Sequence, residues 1–200
     1  MMWNRALAGL AGLAGLAMLA ACVPTSGSAP LPSAKLAGGE IVVAGPSGYC
    51  VDPVTLSRGA SRSFAVLASC NILSGGEEGV FAEPMMVTIT VGPRSQSPAI
   101  PAPEALAAEA GQPLVTGGVR DGLATALLGN GGGEVLDDGD PRYWRGAFVE
   151  NGHLIGLALY APEGSRLVGR DGAEMLGRVH RQIMRLSPKL ASVGSAAVPG

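Results

Sequence analysis

The pair Asn151-Gly152 narrows the possible folds of this chain more than any other feature. It separates two runs rich in aromatic and aliphatic residues, YWRGAFVE and HLIGLALYA. A two-residue hairpin turn needs positive φ at both central positions, and Asn-Gly is the pair that accepts this most readily. The pattern predicts an antiparallel hairpin over 143–161. Downstream, Leu176, Val179, Ile183 and Leu186 fall on one helical face, while Arg178, Arg181, Gln182 and Arg185 occupy the rest. Asp171 and Glu174 have capping-box spacing, and Ser187-Pro188 closes the helix. An apolar hairpin face and an apolar helix face must be buried, most simply against each other.

The remaining elements are short. Ile41 to Ala44 reads as a strand stopped by Gly45-Pro46, and Ser63 to Leu73 (SFAVLASCNIL) as a β-compatible run stopped by Gly75-Gly76. Met85 to Val91 alternates Val87, Ile89 and Val91 with Thr88 and Thr90, a strand with one wet face ended by Gly92-Pro93. Short helices are expected at Glu104 to Ala110 and Val119 to Leu128. With 31 Gly, 15 Pro and only 4% aromatic residues, the core must be aliphatic and the turns many. The fold class is α+β: a small antiparallel sheet whose C-terminal hairpin packs against an amphipathic C-terminal helix. This hairpin-then-helix ending loosely resembles the PsbP-like sandwich.

The first residues set a different expectation. Arg5 precedes Ala6 to Ala20, an uncharged stretch too short for a membrane span of roughly 20 residues. A positive start, an apolar stretch and a small-residue exit describe a secretory signal peptide. Leu19-Ala20-Ala21-Cys22 resembles the lipobox of bacterial lipoproteins. That resemblance implies cleavage before Cys22, diacylation of its thiol and acylation of the new N-terminus. Two or more acyl chains are what stable anchoring requires. Val23, where aspartate would signal inner-membrane retention, implies the periplasmic face of the outer membrane. The chain is thus expected to divide into a signal peptide (1–21), a lipidated Cys22 with a flexible Pro-, Ser- and Gly-rich tether (22–39), one domain (40–186) and a frayed tail (187–200).

With Cys22 acylated, Cys50 and Cys70 remain, and an even pair in an exported chain reads as a disulfide. Redox-active cysteines usually stand two residues apart at a helix start, and these do not. Other chemistry finds little support. There is no H-E-x-x-H and no paired C-x-x-C; His153 is expected to face solvent after the turn, and His180 to be packed and hydrogen-bonded. Asp137-Asp138-Gly139-Asp140-Pro141 is out of register with a calcium loop and reads as a tight turn before a strand. Gly129 to Gly133 lacks the Lys-Ser or Lys-Thr of a phosphate cradle. No G-x-S-x-G occurs, and no clustered Lys and Arg before the last helix would meet a nucleic acid. Arg166, Arg170, Arg178, Arg181 and Arg185 read as a solvated helix face, with lipid headgroups or an acidic partner as the alternative. Tyr143 and Trp144 read as packing residues.

The expected protein is a lipid-anchored envelope component with a structural or adaptor role, no catalysis and no cofactor. It would contact the membrane through its anchor, and its partner would be another envelope protein. An alternative is a small-ligand binding module with a pocket of about 300–1,000 Å³ between sheet and helix. A third reading, a hydrolase, requires His153 or His180 within hydrogen-bond reach of a serine, cysteine or carboxylate in a cleft.

Overall fold

The computed structural model describes residues 28–59 and 61–190. Two short strands, β1 (Ala34–Leu36) and β2 (Ile41–Val43), pair as a small antiparallel ribbon. All other strands join one 8-stranded antiparallel sheet. These are β3 (Tyr49–Val51), β4 (Ser57–Arg58), β5 (Ser63–Ser69), β6 (Met86–Arg94), β7 (Leu114–Arg120), β8 (Leu123–Leu128), β9 (Tyr143–Glu150) and β10 (His153–Tyr160). Their order is β3-β5-β6-β10-β9-β8-β7, with β4 pairing β5, so β7 ends one edge of the sheet. Among the described residues three α-helices accompany the strands: α1 (Cys70–Leu73) and α2 (Pro103–Ala110) between them, and α3 (Arg170–Leu186) after the last.

Strand alternation divides the side chains between two cores. On one face Leu67, Val87, Ile89, Val91, Trp144, Phe148, Ile155, Leu157 and Leu159 meet Leu176, Val179 and Ile183 of α3 and the ribbon's Leu36, Ile41 and Val43. On the other face Ala124, Ala126, Leu128, Tyr143, Ala147 and Ala158 meet Leu106 and Ala107 of α2. The second core is thin because its residues are small. The rings of Tyr143 and Tyr160 stack across it with centroids 5.0 Å apart, the offset geometry aromatic pairs favour.

The fold is α+β, and α3 packs against strands of the sheet as expected. The β9–β10 hairpin turns at Asn151 (φ 51°) and Gly152 (φ 80°), both in the left-handed region. Several local expectations are corrected. Val119 to Leu128 is not a helix: β7 and β8 form a second hairpin, turning at Asp121 (φ 52°) and Gly122 (φ 78°). Alanine and leucine there are good helix formers, but pairing with β9 overrides propensity. The Ser63 run ends as strand at Ser69, and Cys70–Leu73 form a helical turn. β6 runs through Gly92-Pro93 to Arg94, made possible by a register shift opposite β10 between His153 and Ile155. Helix α3 starts at Arg170 with Gly169 as its cap, so Asp171 lies in the first turn rather than capping it.

Both ends of the domain also extend beyond their expected limits. Residues 31–39, read as tether, belong to the fold: Leu31 bridges Val51, and Leu36 is 1% exposed in the main core. Beyond α3, the Ser187 hydroxyl accepts a hydrogen bond from the Val42 N–H at 3.0 Å, and Asn151 Nδ2 donates to the Pro188 carbonyl at 2.9 Å. The signal peptide, Cys22 and residues 191–200 lie outside the described residues.

Candidate functional site

Cys50 and Cys70 form the expected disulfide, with Cα atoms 4.9 Å apart. Cys50 is on β3, opposite Ala68, and Cys70 opens α1 directly after β5. The bridge ties the outer strand β3 to the end of its neighbour. The acidic stretch is the expected turn: Asp138 has φ 57°, and buried Asp140 receives a two-pronged bond from Arg142, through Nε and Nη2, each at 3.0 Å. That hydrogen-bonded guanidinium holds the Asp140 carboxyl below its ordinary range. Trp144 is buried, donating from Nε1 to the Gly169 carbonyl at 3.0 Å, which fixes the start of α3.

His153 is not solvent-facing. Strand alternation places it on the same buried face as Ile155 and Leu157, and its side chain is 7% exposed. Nδ1 lies 2.8 Å from the Gly92 carbonyl oxygen and Nε2 2.9 Å from Glu40 Oε2. A carbonyl can only accept, so Nδ1 donates, and the Nε2 contact ties the ring to the Glu40 carboxyl. Arg94 Nη1 reaches the other oxygen of Glu40 at 3.0 Å. The hydrogen bond from His153, and secondarily the charge of Arg94, hold the Glu40 carboxyl below its ordinary value of 4.5 despite partial desolvation.

This cluster borders a hollow of about 440 Å³. A histidine beside a carboxylate is the arrangement a hydrolase reading asks for. Here, however, both ring nitrogens are engaged, and a general base needs a free lone pair. Ser63, also on the hollow, donates its hydroxyl toward Gly59. The cluster instead joins the segment before β2 to the segment after α3, since Asn151 Nδ2 bonds both the Glu40 and Pro188 carbonyls.

A folded-state carboxyl pKa below the unfolded value stabilises the protein at pH values above the unfolded pKa. That contribution is lost as pH falls through the folded value. Glu40→Gln is therefore expected to be less stable than the native chain at pH 7, with the gap narrowing as pH falls below the ordinary carboxyl value of 4.5. Urea unfolding of both proteins across that range checks this; a gap independent of pH refutes it.

The larger concavity is a groove of about 580 Å³ between α3 and the β7–β8 hairpin. A twisted sheet cannot follow a straight helix along its whole width, so the edge hairpin diverges from α3. Small residues keep the gap open. Gly118 faces it with nothing within 4 Å of where a Cβ would stand, and Ala173 and Gly177 form the helix side. Leu123, Thr125 and Trp144 make the floor. Arg120 at the end of β7 faces Arg170, Arg178 and Arg181 of α3 across the opening. Among the described residues, none of these four arginines forms an ion pair. Asp121 and Glu174 offset only part of their charge. His180 borders the groove and packs on Phe148, ring centroids 4.5 Å apart. No hydrogen bond holds its ring among the described residues. Burial, then the charge of Arg181, push its pKa below the ordinary histidine value.

Part of this site was legible. Arg170, Arg178 and Arg181 are among the helix arginines singled out from sequence. Arg120, Thr116 and Gly118 were missed with the β7–β8 hairpin, and Asp121-Gly122 was the turn signal that would have revealed them. Among the described residues no three His, Cys, Asp or Glu side chains converge as a metal site, and no helix is long and apolar enough to cross a membrane. Comparison with protein families, with curated proteins and with solved structures finds no match.

Proposed function

We propose that this protein is a lipid-anchored, non-catalytic adaptor of the bacterial envelope. Acyl chains on Cys22 hold it at the outer membrane, facing the periplasm, where it engages another envelope protein. The lipobox-like Leu19-Ala20-Ala21-Cys22 supports the anchor, and the Cys50–Cys70 disulfide suits an oxidising compartment. The observation that carries the adaptor reading is the free edge of β7 beside the arginine-lined groove. An unpaired strand edge is a template for another chain, and soluble proteins commonly blunt such edges with lysine, proline or a covering element. β7, LVTGGVR, has no lysine or proline and is exposed over nearly all its length.

Photo-crosslinking in the native envelope tests this reading. A crosslinking residue in place of Val119, which is 61% exposed on β7, should trap a discrete protein adduct. The same residue in place of exposed Ser97, in the loop after β6, should not. Equal capture at both positions, or none at Val119, overturns the adaptor reading.

A second reading, a module for a small anionic ligand, draws on the groove's position between sheet and helix and on its volume of about 580 Å³. Native mass spectrometry of protein purified from the envelope would then show a retained small anion, lost on replacing Arg181.

A further inference from the structure

Building on the adaptor reading, we propose that the partner presents an acidic extended segment, which adds to the outer edge of β7 as a further strand and directs carboxylates into the groove. Three observations define that occupant. First, the outer edge of β7 has no strand beside it among the described residues, leaving backbone N–H and C=O groups free to pair. In strand addition these groups supply the affinity and alternate side chains the selectivity. Second, the two faces of β7 differ. Thr116, Gly118 and Arg120 lie opposite Leu127, Thr125 and Leu123 and share their face, the groove side. Val119 points the other way, paired with Ala124 and largely exposed. An added strand places alternate residues over these two surfaces. It would match them with carboxylates toward the groove and apolar side chains beside Val119.

Third, the charge is locally opposite to that of the molecule. The chain carries a formal net charge of −2, yet the groove gathers Arg120, Arg170, Arg178 and Arg181 without described ion-pair partners. Guanidinium forks bind carboxylates in two-pronged geometry, and unpaired arginines at a groove mouth draw an acidic chain toward it from solution. The groove is open along β7, since Gly117 to Asp121 line it and are exposed. An elongated occupant fits this shape better than an enclosed one.

The test uses the full chain and two octapeptides, alternating Glu-Val and alternating Lys-Val, with calorimetry and amide hydrogen exchange as readouts. The acidic peptide should bind, more weakly at high salt, and should slow exchange of β7 amides; the basic one should do neither. Arg120→Glu with Arg181→Glu should weaken binding about tenfold or more. Gly118→Trp, at a position with open space around it, should block the groove while leaving the thermal transition in place. The proposal is overturned if the acidic peptide fails to bind, if both variants bind it unchanged, or if β7 amides stay unprotected in the complex. It also fails if the free protein already dimerises through β7, or if anionic phospholipid vesicles compete the peptide away. Failure of the peptide alongside continued capture at Val119 would remove the acidic strand and leave the adaptor reading standing.

Discussion

Replacing Cys50 and Cys70 by alanine is expected to lower the unfolding free energy by about 3 kcal/mol. The bridge closes a loop between residues 20 apart, and chain-entropy theory assigns a loop of that size about this much constraint on the unfolded ensemble. Small Gly-rich domains with few aromatics have little to spare within a total of roughly 5–15 kcal/mol. The structure sharpens where the loss should fall. β3 lies at the end of the sheet opposite β7, paired with β5 on one side and held on the other by the Leu31–Val51 pairing. Opening the bridge should first free β3 and the Leu31–Val51 contact that rides on it. Urea unfolding with and without reductant measures the total, and hydrogen exchange locates it. An unchanged midpoint after reduction would show that the bridge does not contribute to stability.

Gly172→Ala should destabilise the protein by about 1–3 kcal/mol, the usual range for overpacking a tight interior. Helix propensity argues the reverse, since alanine is favoured over glycine inside a helix by about 1 kcal/mol. At this position a Cβ would collide with the Leu167 carbonyl oxygen and the Trp144 indole ring. Neither can give way cheaply. The carbonyl belongs to the backbone, and the indole is held by its bond to Gly169 at 3.0 Å. Gly177→Ala is the internal control. Its Cβ would meet only the mobile end of Arg181, at 3.3 Å, so propensity should prevail and the helix should gain stability. Thermal or chemical unfolding of the two variants should give opposite signs. A stabilised Gly172→Ala would mean that α3 does not pack on Trp144 as closely as described.

The sequence was most informative where a local rule has one structural answer. Asn151-Gly152 accepts positive φ in succession, so it specifies a hairpin whatever surrounds it. The spacing of Leu176, Val179 and Ile183 defines one buried face, and those three residues are fully buried in α3. Cys50 and Cys70 could be paired once the lipobox-like sequence was read as setting Cys22 apart. The helix expected over 119–128 failed because composition outweighed a turn signal of the same kind, Asp121-Gly122. His153 failed for a different reason: its nearness to the turn suggested exposure, whereas alternation along β10 puts it on the buried face of Ile155 and Leu157, where Gly92 and Glu40 from distant segments meet its ring.

The candidate groove divides along the same line. Sequence alone determined that a run of arginines would coat one side of an amphipathic helix and that a sheet would lie beneath it. Only the tertiary structure decided that Arg120 faces those arginines, that Gly118 and Gly177 leave the gap unfilled, and that β7 ends the sheet. Turn chemistry and helical periodicity act between near neighbours, so they can be read along the chain. Which strand becomes an edge, and which side chains meet across a gap, depends on long-range pairing and sheet twist, which emerge only when distant segments come together.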